Sequence, residues 1–317
     1  MSVLTEADFE RALTDLKADA IAINANHGFF GPNSIFWHVN KHAIPLSLGA
    51  GRALLLQIAH PWVNQGVEDH SDLYDHALKR LQRTAIAVQT LVYGNRSQAE
   101  RMARILFKIH GRINGKIRFS NAFFNIDTPY AANTANALFW VYATLVESAL
   151  TLFEKLMRPL LPSERQAYYM DCQKFASLFG IPKSMHPADW QAFYRYNESM
   201  WYGNELAVHE QTLKQMAVIF KPLHPALSPL MALMRNITAV LLPDPLRDAY
   251  GLTLPNNKDQ FIERTRGWVK LSHSLAPDII RYGSIYLEAN RRIQLQPPGL
   301  LIRTMNWLLY QKTEIVS

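Results

Sequence analysis

Along most of the chain apolar residues recur every three or four positions, and alternation with period two is weak. That pattern marks amphipathic helices rather than strands. The spacing predicts helices over about 49–60, 72–93, 97–113, 133–157, 163–179, 187–202, 204–220, 229–242, 257–276 and 278–292. An earlier one starts near Thr5, where Thr5-Glu6-Ala7-Asp8 resembles a capping box with Asp in place of the usual Glu. Gly180-Ile181-Pro182, Lys221-Pro222, Pro243-Asp244-Pro245 and Pro297-Pro298-Gly299 punctuate the series, and a Gly and Pro containing stretch, 27–32, forms an irregular entry. There is no repeat of fixed period and no low-complexity segment. The fold class is therefore all-α: an N-terminal helical segment (1–29), one main helical domain (30–294) and a short C-terminal extension (295–317).

Pro61 disfavours the helical conformation at His60 and removes a backbone donor, so the 49–60 helix should end or kink at that histidine and display its side chain. The greasiest stretch, 135–157, carries Glu147, Glu154 and Lys155. A spanning helix needs about 20 residues with few charges. This one reads as a buried helix, with peripheral membrane contact left open.

Composition changes the picture little. With 317 residues, 49% hydrophobic and 19% charged, the chain is a globular protein with room for a large core. Its 33 Lys and Arg exceed 26 Asp and Glu by seven, but no basic block occurs, so a soluble basic surface is expected and nucleic-acid binding is not. The single cysteine, Cys172, excludes an internal disulfide framework and fits a reducing compartment. The N-terminus has acidic residues and no uninterrupted apolar core, so export by the usual route is not indicated and a cytoplasmic location is expected.

Candidate chemistry concentrates in one run, from Arg52 to His110. Ala103, Leu106 and Phe107 share a helical stripe with His110, whereas Arg104, Lys108 and Arg112 line another face, so His110 looks inward. Gly111 and Gly115 follow, leaving room for a flat cofactor to approach. Such an imidazole is either a core histidine bonded to a carbonyl or a neutral axial ligand for iron. On this helix alone the core reading is the stronger. Arg80 and Thr84 stand one turn apart on the side of Ala77, Val88 and Leu91. A threonine hydroxyl can bond its own helix, but an inward guanidinium needs an anion or several carbonyls. Arg52 raises the same demand beside Leu56 and His60, and for either arginine a structural salt bridge is the default, with Glu147 an available partner. His60 and His70 are further ligand-side or acid/base candidates, although neither has metal-ligand spacing, and His76 reads as exposed. There is no HExxH pair, no phosphate loop, no GxSxG elbow, no GxGxxG turn and no paired ExxH segment. Hydrolase, kinase and nicotinamide chemistry lose support accordingly.

Taken in order, GAGRALLLQIAHPWVNQGVEDHS (49–71), RLQRT (80–84), VYG (92–94), IHGRING (109–115), WVYATLVES (140–148) and LFGIP (178–182) resemble the catalytic domain shared by MpaB-type oxygenases and latex-clearing rubber oxygenases. The resemblance covers roughly 30–290. It implies an all-helical, globin-like domain holding one haem b through a single histidine, with dioxygen and an apolar, unsaturated substrate such as a polyisoprenoid or lipid. On the matching positions, His110 is the implied iron ligand, and Arg80 and Thr84 lie near the haem and shape its oxygen-binding side. Arg52, His60 and His70 fall in segments that match the family and are implied to lie about the cofactor. IHGRING departs from the longer polar and Gly pattern of many relatives, and the extra terminal segments of the rubber enzymes are missing, so haem binding carries over more firmly than rubber as substrate. Two readings compete with an oxygenase: a haem carrier or sensor with the same ligand, and a haem-free helical protein that binds lipid or a membrane surface.

Overall fold

The computed structural model describes residues 2–317. The chain is all-α, with sixteen α-helices and one small two-stranded ribbon among the described residues. In order these are α1 (Glu6–Asp19), α2 (Ile35–Asn40), α3 (Ala43–Ile58), α4 (Pro61–His70), α5 (Leu73–Tyr93), α6 (Arg96–His110), β1 (Asn114–Lys116), β2 (Pro129–Ala131), α7 (Ala135–Leu156), α8 (Pro162–Leu178), α9 (Trp190–Tyr202), α10 (Glu210–Ile219), α11 (Ser228–Leu241), α12 (Asp244–Ala249), α13 (Lys258–Leu275), α14 (Asp278–Arg281), α15 (Ser284–Ile293) and α16 (Leu300–Tyr310).

The organising element is α7. Among the described residues it is the one helix long and apolar enough to cross a membrane, yet here α3, α8 and α13 pack against it and bury most of it. Trp140 Nε1 donates to the Leu56 carbonyl of α3 at 3.0 Å, and the Tyr168 hydroxyl of α8 donates to the Val146 carbonyl at 3.0 Å. These bonds satisfy the polar ends of two large buried aromatics, leaving their ring area to contribute to core stability. The largest apolar cluster joins α1, α2, α5, α6, α7 and α8.

Most helix boundaries follow the hydrophobic period. The capping box at Thr5 and Asp8 forms in both directions. At Pro61 the chain does more than kink: α3 stops at Ile58, Pro61 opens α4, and His60 becomes the residue that caps it. The helix predicted from about residue 49 starts at Ala43, because Pro45 sits in its first turn, where no intrahelical donor is lost. The segment predicted over 278–292 divides into α14 and α15 at Gly283, whose φ of 76° interrupts the helix. The helix predicted over 204–220 contracts to Glu210–Ile219. Four helices are new: α4 fills the stretch between the predicted 49–60 and 72–93 helices, α2 and α12 have six residues each, too few for a period to register, and α16 lies within 295–317. The end of the chain is tied down as well: Val316 is buried, and the Glu288 carboxylate accepts from the Ile315 and Val316 amides at 2.8 Å.

For the candidate site, α5 and α6 matter most. They form an antiparallel hairpin across Gly94 and Asn95, with Asn95 capping α6 through the Gln98 amide at 2.9 Å. Non-helical angles at His76 kink α5 near its start.

Candidate functional site

Arg80 lies fourteen residues before the cap at Gly94, and His110 lies fifteen after the cap at Asn95. At 1.5 Å rise per residue, each is roughly 21 to 23 Å from the turn. The two therefore stand at matching height on neighbouring helices, with Thr84 one turn nearer the turn.

Their faces agree too. On α5, Arg80 and Thr84 fall on the stripe that includes buried Ala87 and Leu91; on α6, His110 falls on the stripe of buried Ala99 and Ala103. Near the turn these stripes are sealed. Towards the far end they open: Leu106, Arg80 and His110 are half-buried and Thr84 is exposed. Leu78, Leu81, Ile105 and Ile109 are exposed at the same end. A core-facing stripe that surfaces in this way marks an incomplete enclosure that a further group would close.

The polar groups at this opening lack protein partners. Burial alone pushes the His110 imidazole down to about 4, so the ring is neutral near pH 7. It is surrounded by protein mass and still reached by solvent along one side. Burial alone likewise lowers the Arg80 guanidinium, with no neighbouring carboxylate to offset it. A neutral imidazole and an unpaired, partly desolvated guanidinium suit a flat, iron-bearing cofactor with anionic arms. Among the described residues no three His, Cys, Asp or Glu side chains converge as a metal site. A metal at His110 must therefore bring most of its coordination with it.

Arg52 has the opposite character. It is 2% exposed, and its donors go to the Glu147 carboxylate, the Ser148 hydroxyl at 2.7 Å and the Leu241 carbonyl at 2.7 Å. Thr151 donates to the other Glu147 oxygen at 2.7 Å. This network joins α3, α7 and α11 inside the core and commits the Nε and Nη1 donors of Arg52 to protein groups, a structural setting for that side chain. Its partner is the Glu147 that the sequence made available.

His60 is buried, but its ring turns back rather than projecting into open space. Nδ1 accepts from the Trp62 amide at 3.2 Å, and the ring packs on Trp62 and Phe124. Burial holds it down to about 4, neutral as an N-cap acceptor must be. His70 is exposed at the end of α4, 3.0 Å through Nε2 from the Asn114 carbonyl. His76 is exposed at the kink of α5. The structure thus brings His110, Arg80 and Thr84 to one end of the hairpin and leaves Arg52, His60 and His70 with protein-held roles. Gly115 also departs from expectation: a Cβ there would meet the Tyr130 ring at 2.9 Å, so its open side is filled by Tyr130 and not left for a cofactor.

Two supports escaped the sequence. Asn133, buried just before α7, donates through Nδ2 to the Phe107 carbonyl at 3.0 Å and so fixes the last turn of α6, which carries His110. A lone Asn between a strand and a helix gives no periodic signal. The other is a polar network between α4 and α10: Asn64 Nδ2 donates to Gln215 Oε1 at 3.0 Å, Gln215 Nε2 donates to Glu68 at 3.1 Å, and the Tyr74 hydroxyl donates to Glu68 at 2.7 Å. Asn64 and Glu68 stand one turn apart on α4, a spacing that could have flagged them.

Residues 37–273 match the family described as ER-bound oxygenase mpaB/B'/Rubber oxygenase, catalytic domain. No curated protein and no solved structure matches the chain significantly.

Proposed function

The chain belongs to this family of oxygenase catalytic domains, and we propose that it is a haem b-dependent oxygenase acting on an apolar, unsaturated substrate of isoprenoid or lipid type. The observation that carries the proposal is the unpartnered pair at the open end of the hairpin: the neutral, solvent-reached imidazole of His110 and, at the same height, the desolvated and uncompensated guanidinium of Arg80.

His110 would hold the iron through a ring nitrogen, with its proton absent near pH 7 because burial disfavours the imidazolium. When bound, haem supplies a redox-active iron able to activate dioxygen. Arg80 offers a fixed positive charge to an anionic arm of the cofactor or to the oxygen-binding side, and Thr84 adds a hydroxyl there. Ala87, Ala103 and Leu106, on the same stripes as Arg80 and His110, give the opening an apolar lining that receives hydrocarbon in preference to water. Asn133 holds the α6 end in register, so His110 keeps its direction. Substrate oxidation takes the form of oxygen insertion at a carbon–carbon double bond.

The family match favours turnover over a carrier or sensor built on the same ligand. Oxygen consumption by the haem-loaded protein with a panel of isoprenoids and unsaturated fatty acids separates them. Consumption above the substrate-free rate supports the oxygenase. Haem uptake with no consumption across the panel supports the carrier.

A further inference from the structure

α16 is an amphipathic helix turned outward. Its fully buried residue is polar, Asn306, which donates to the Glu288 carboxylate at 2.7 Å. Its solvent face is apolar: Leu300, Leu301, Trp307 and Leu308 are all exposed, Leu300 at 81% and Trp307 at 52%. At 100° per residue these four and Thr304 fall within an arc of about 120°. An outward stripe of large apolar side chains on a helix anchored by hydrogen bonds is not explained by the core.

The surroundings indicate the occupant. Gln82 Nε2 of α5 donates to the Leu309 carbonyl at 2.6 Å, placing the middle of α5 against the end of α16. Lys79 and Arg83, beside Gln82, are exposed and enter no ion pair, and Lys312 follows α16 in the same condition. Glu314, the carboxylate that follows α16, is paired with Arg303 at 2.8 Å. Leu78 and Leu81 extend the apolar surface onto α5. A helix of eleven residues is about 16 Å long, too short to span a bilayer. One helix face also falls short of the roughly 800 Å² per partner that a stable dimer interface buries. An apolar stripe with a tryptophan at its edge and unpaired cations around it matches the requirement for lying in the boundary of an anionic membrane.

We propose that the outward face of α16 is a docking surface for an anionic lipid bilayer. α16 lies outside the segment that matches the family, and the inference does not depend on the cofactor. It places the chain where apolar substrates concentrate.

The test uses the full chain and co-sedimentation with phosphatidylcholine vesicles, with and without phosphatidylserine. Binding to the phosphatidylserine vesicles should weaken with salt and fall by about tenfold or more in the Leu301→Ser/Trp307→Ser/Leu308→Ser variant. Because all three positions are exposed, the variant should retain its circular dichroism and melting temperature. As a second reading, brominated lipid should quench tryptophan fluorescence, and Trp307→Phe should remove most of that quenching while the protein still binds. Absence of wild-type binding, undiminished binding by the triple variant, or quenching unaffected by Trp307→Phe overturns the proposal. So does a dimer in sedimentation that the triple variant dissolves, since the occupant of the face is then a second copy.

Discussion

Two arginines that make the same demand in the sequence have opposite settings in the fold. Arg52, on α3 where it faces α7, is buried in the core with its Nε and Nη1 donors committed to Glu147, Ser148 and the Leu241 carbonyl. Arg80, at the open end of the α5–α6 hairpin, is half-buried and lowered by desolvation with no carboxylate to answer it. Partial burial of a charge without a partner costs stability, and a fold that tolerates it leaves a place for an anion to supply what is missing. The contrast separates a residue that holds the molecule together from one available to a ligand.

The largest effect should come from the sealed side. Glu147→Gln or Arg52→Ala leaves its former partner buried and uncompensated, which destabilises a protein by about 3 to 5 kcal/mol. Urea unfolding followed by circular dichroism measures it, and a loss below about 1 kcal/mol would remove the structural role assigned to Arg52.

Acid comes next. His42 is held down to about 3, and His60 and His186 to about 4, chiefly by burial. Each is neutral when folded and takes up a proton near its ordinary value of 6.5 when unfolded. Protonation therefore favours the unfolded chain: the stability these groups contribute is full above about pH 6.5 and drains as the pH falls towards 4. For His60 alone the loss is about 3 kcal/mol by the low end of that window. Melting temperatures from pH 8 to 4 should show the fall, and His60→Asn, which keeps a capping oxygen, should flatten it; a profile level down to pH 4 would contradict the buried, neutral assignment.

Arg80→Ala should behave unlike Arg52→Ala. With no internal partner to strand, stability should stay within about 0.5 kcal/mol. Haem affinity, read by titration in the Soret region, should weaken by about tenfold. A large loss of stability with unchanged haem affinity would reverse the comparison. The smallest effect belongs to Asn133→Ala, which removes one bond to the Phe107 carbonyl and should cost about 1 kcal/mol while altering the Soret position of the loaded protein. A merely structural Asn133 would leave that band where it is.

Much of this was legible before any coordinates. Long helices announce themselves through the period of their apolar residues, which is why α5, α6 and α7 lie within a few residues of expectation. The inward stripe of His110 and the shared face of Arg80 and Thr84 follow from the same arithmetic. What periodicity cannot convey is which polar group finds a partner across the fold. Glu147 was available to Arg52 and Arg80 alike, and only the fold shows that Arg52 takes it, across 95 positions of sequence; His60, expected to project at Pro61, closes its ring on the Trp62 amide. Short elements such as α2, and the outward apolar face of α16, depend on tertiary contacts that no local window contains.

The central claim is that the open end of the α5–α6 hairpin is a haem site with His110 as the iron ligand. Reconstituting the purified full chain with haem b, and doing the same with His110→Ala at equal circular dichroism, tests it most directly by absorption spectroscopy. The account predicts stoichiometric uptake and the Soret band of a histidine-ligated haem in the wild type, and loss of that ligation in the variant. No uptake by the wild type, or an identical axial-ligand spectrum in His110→Ala, would contradict it.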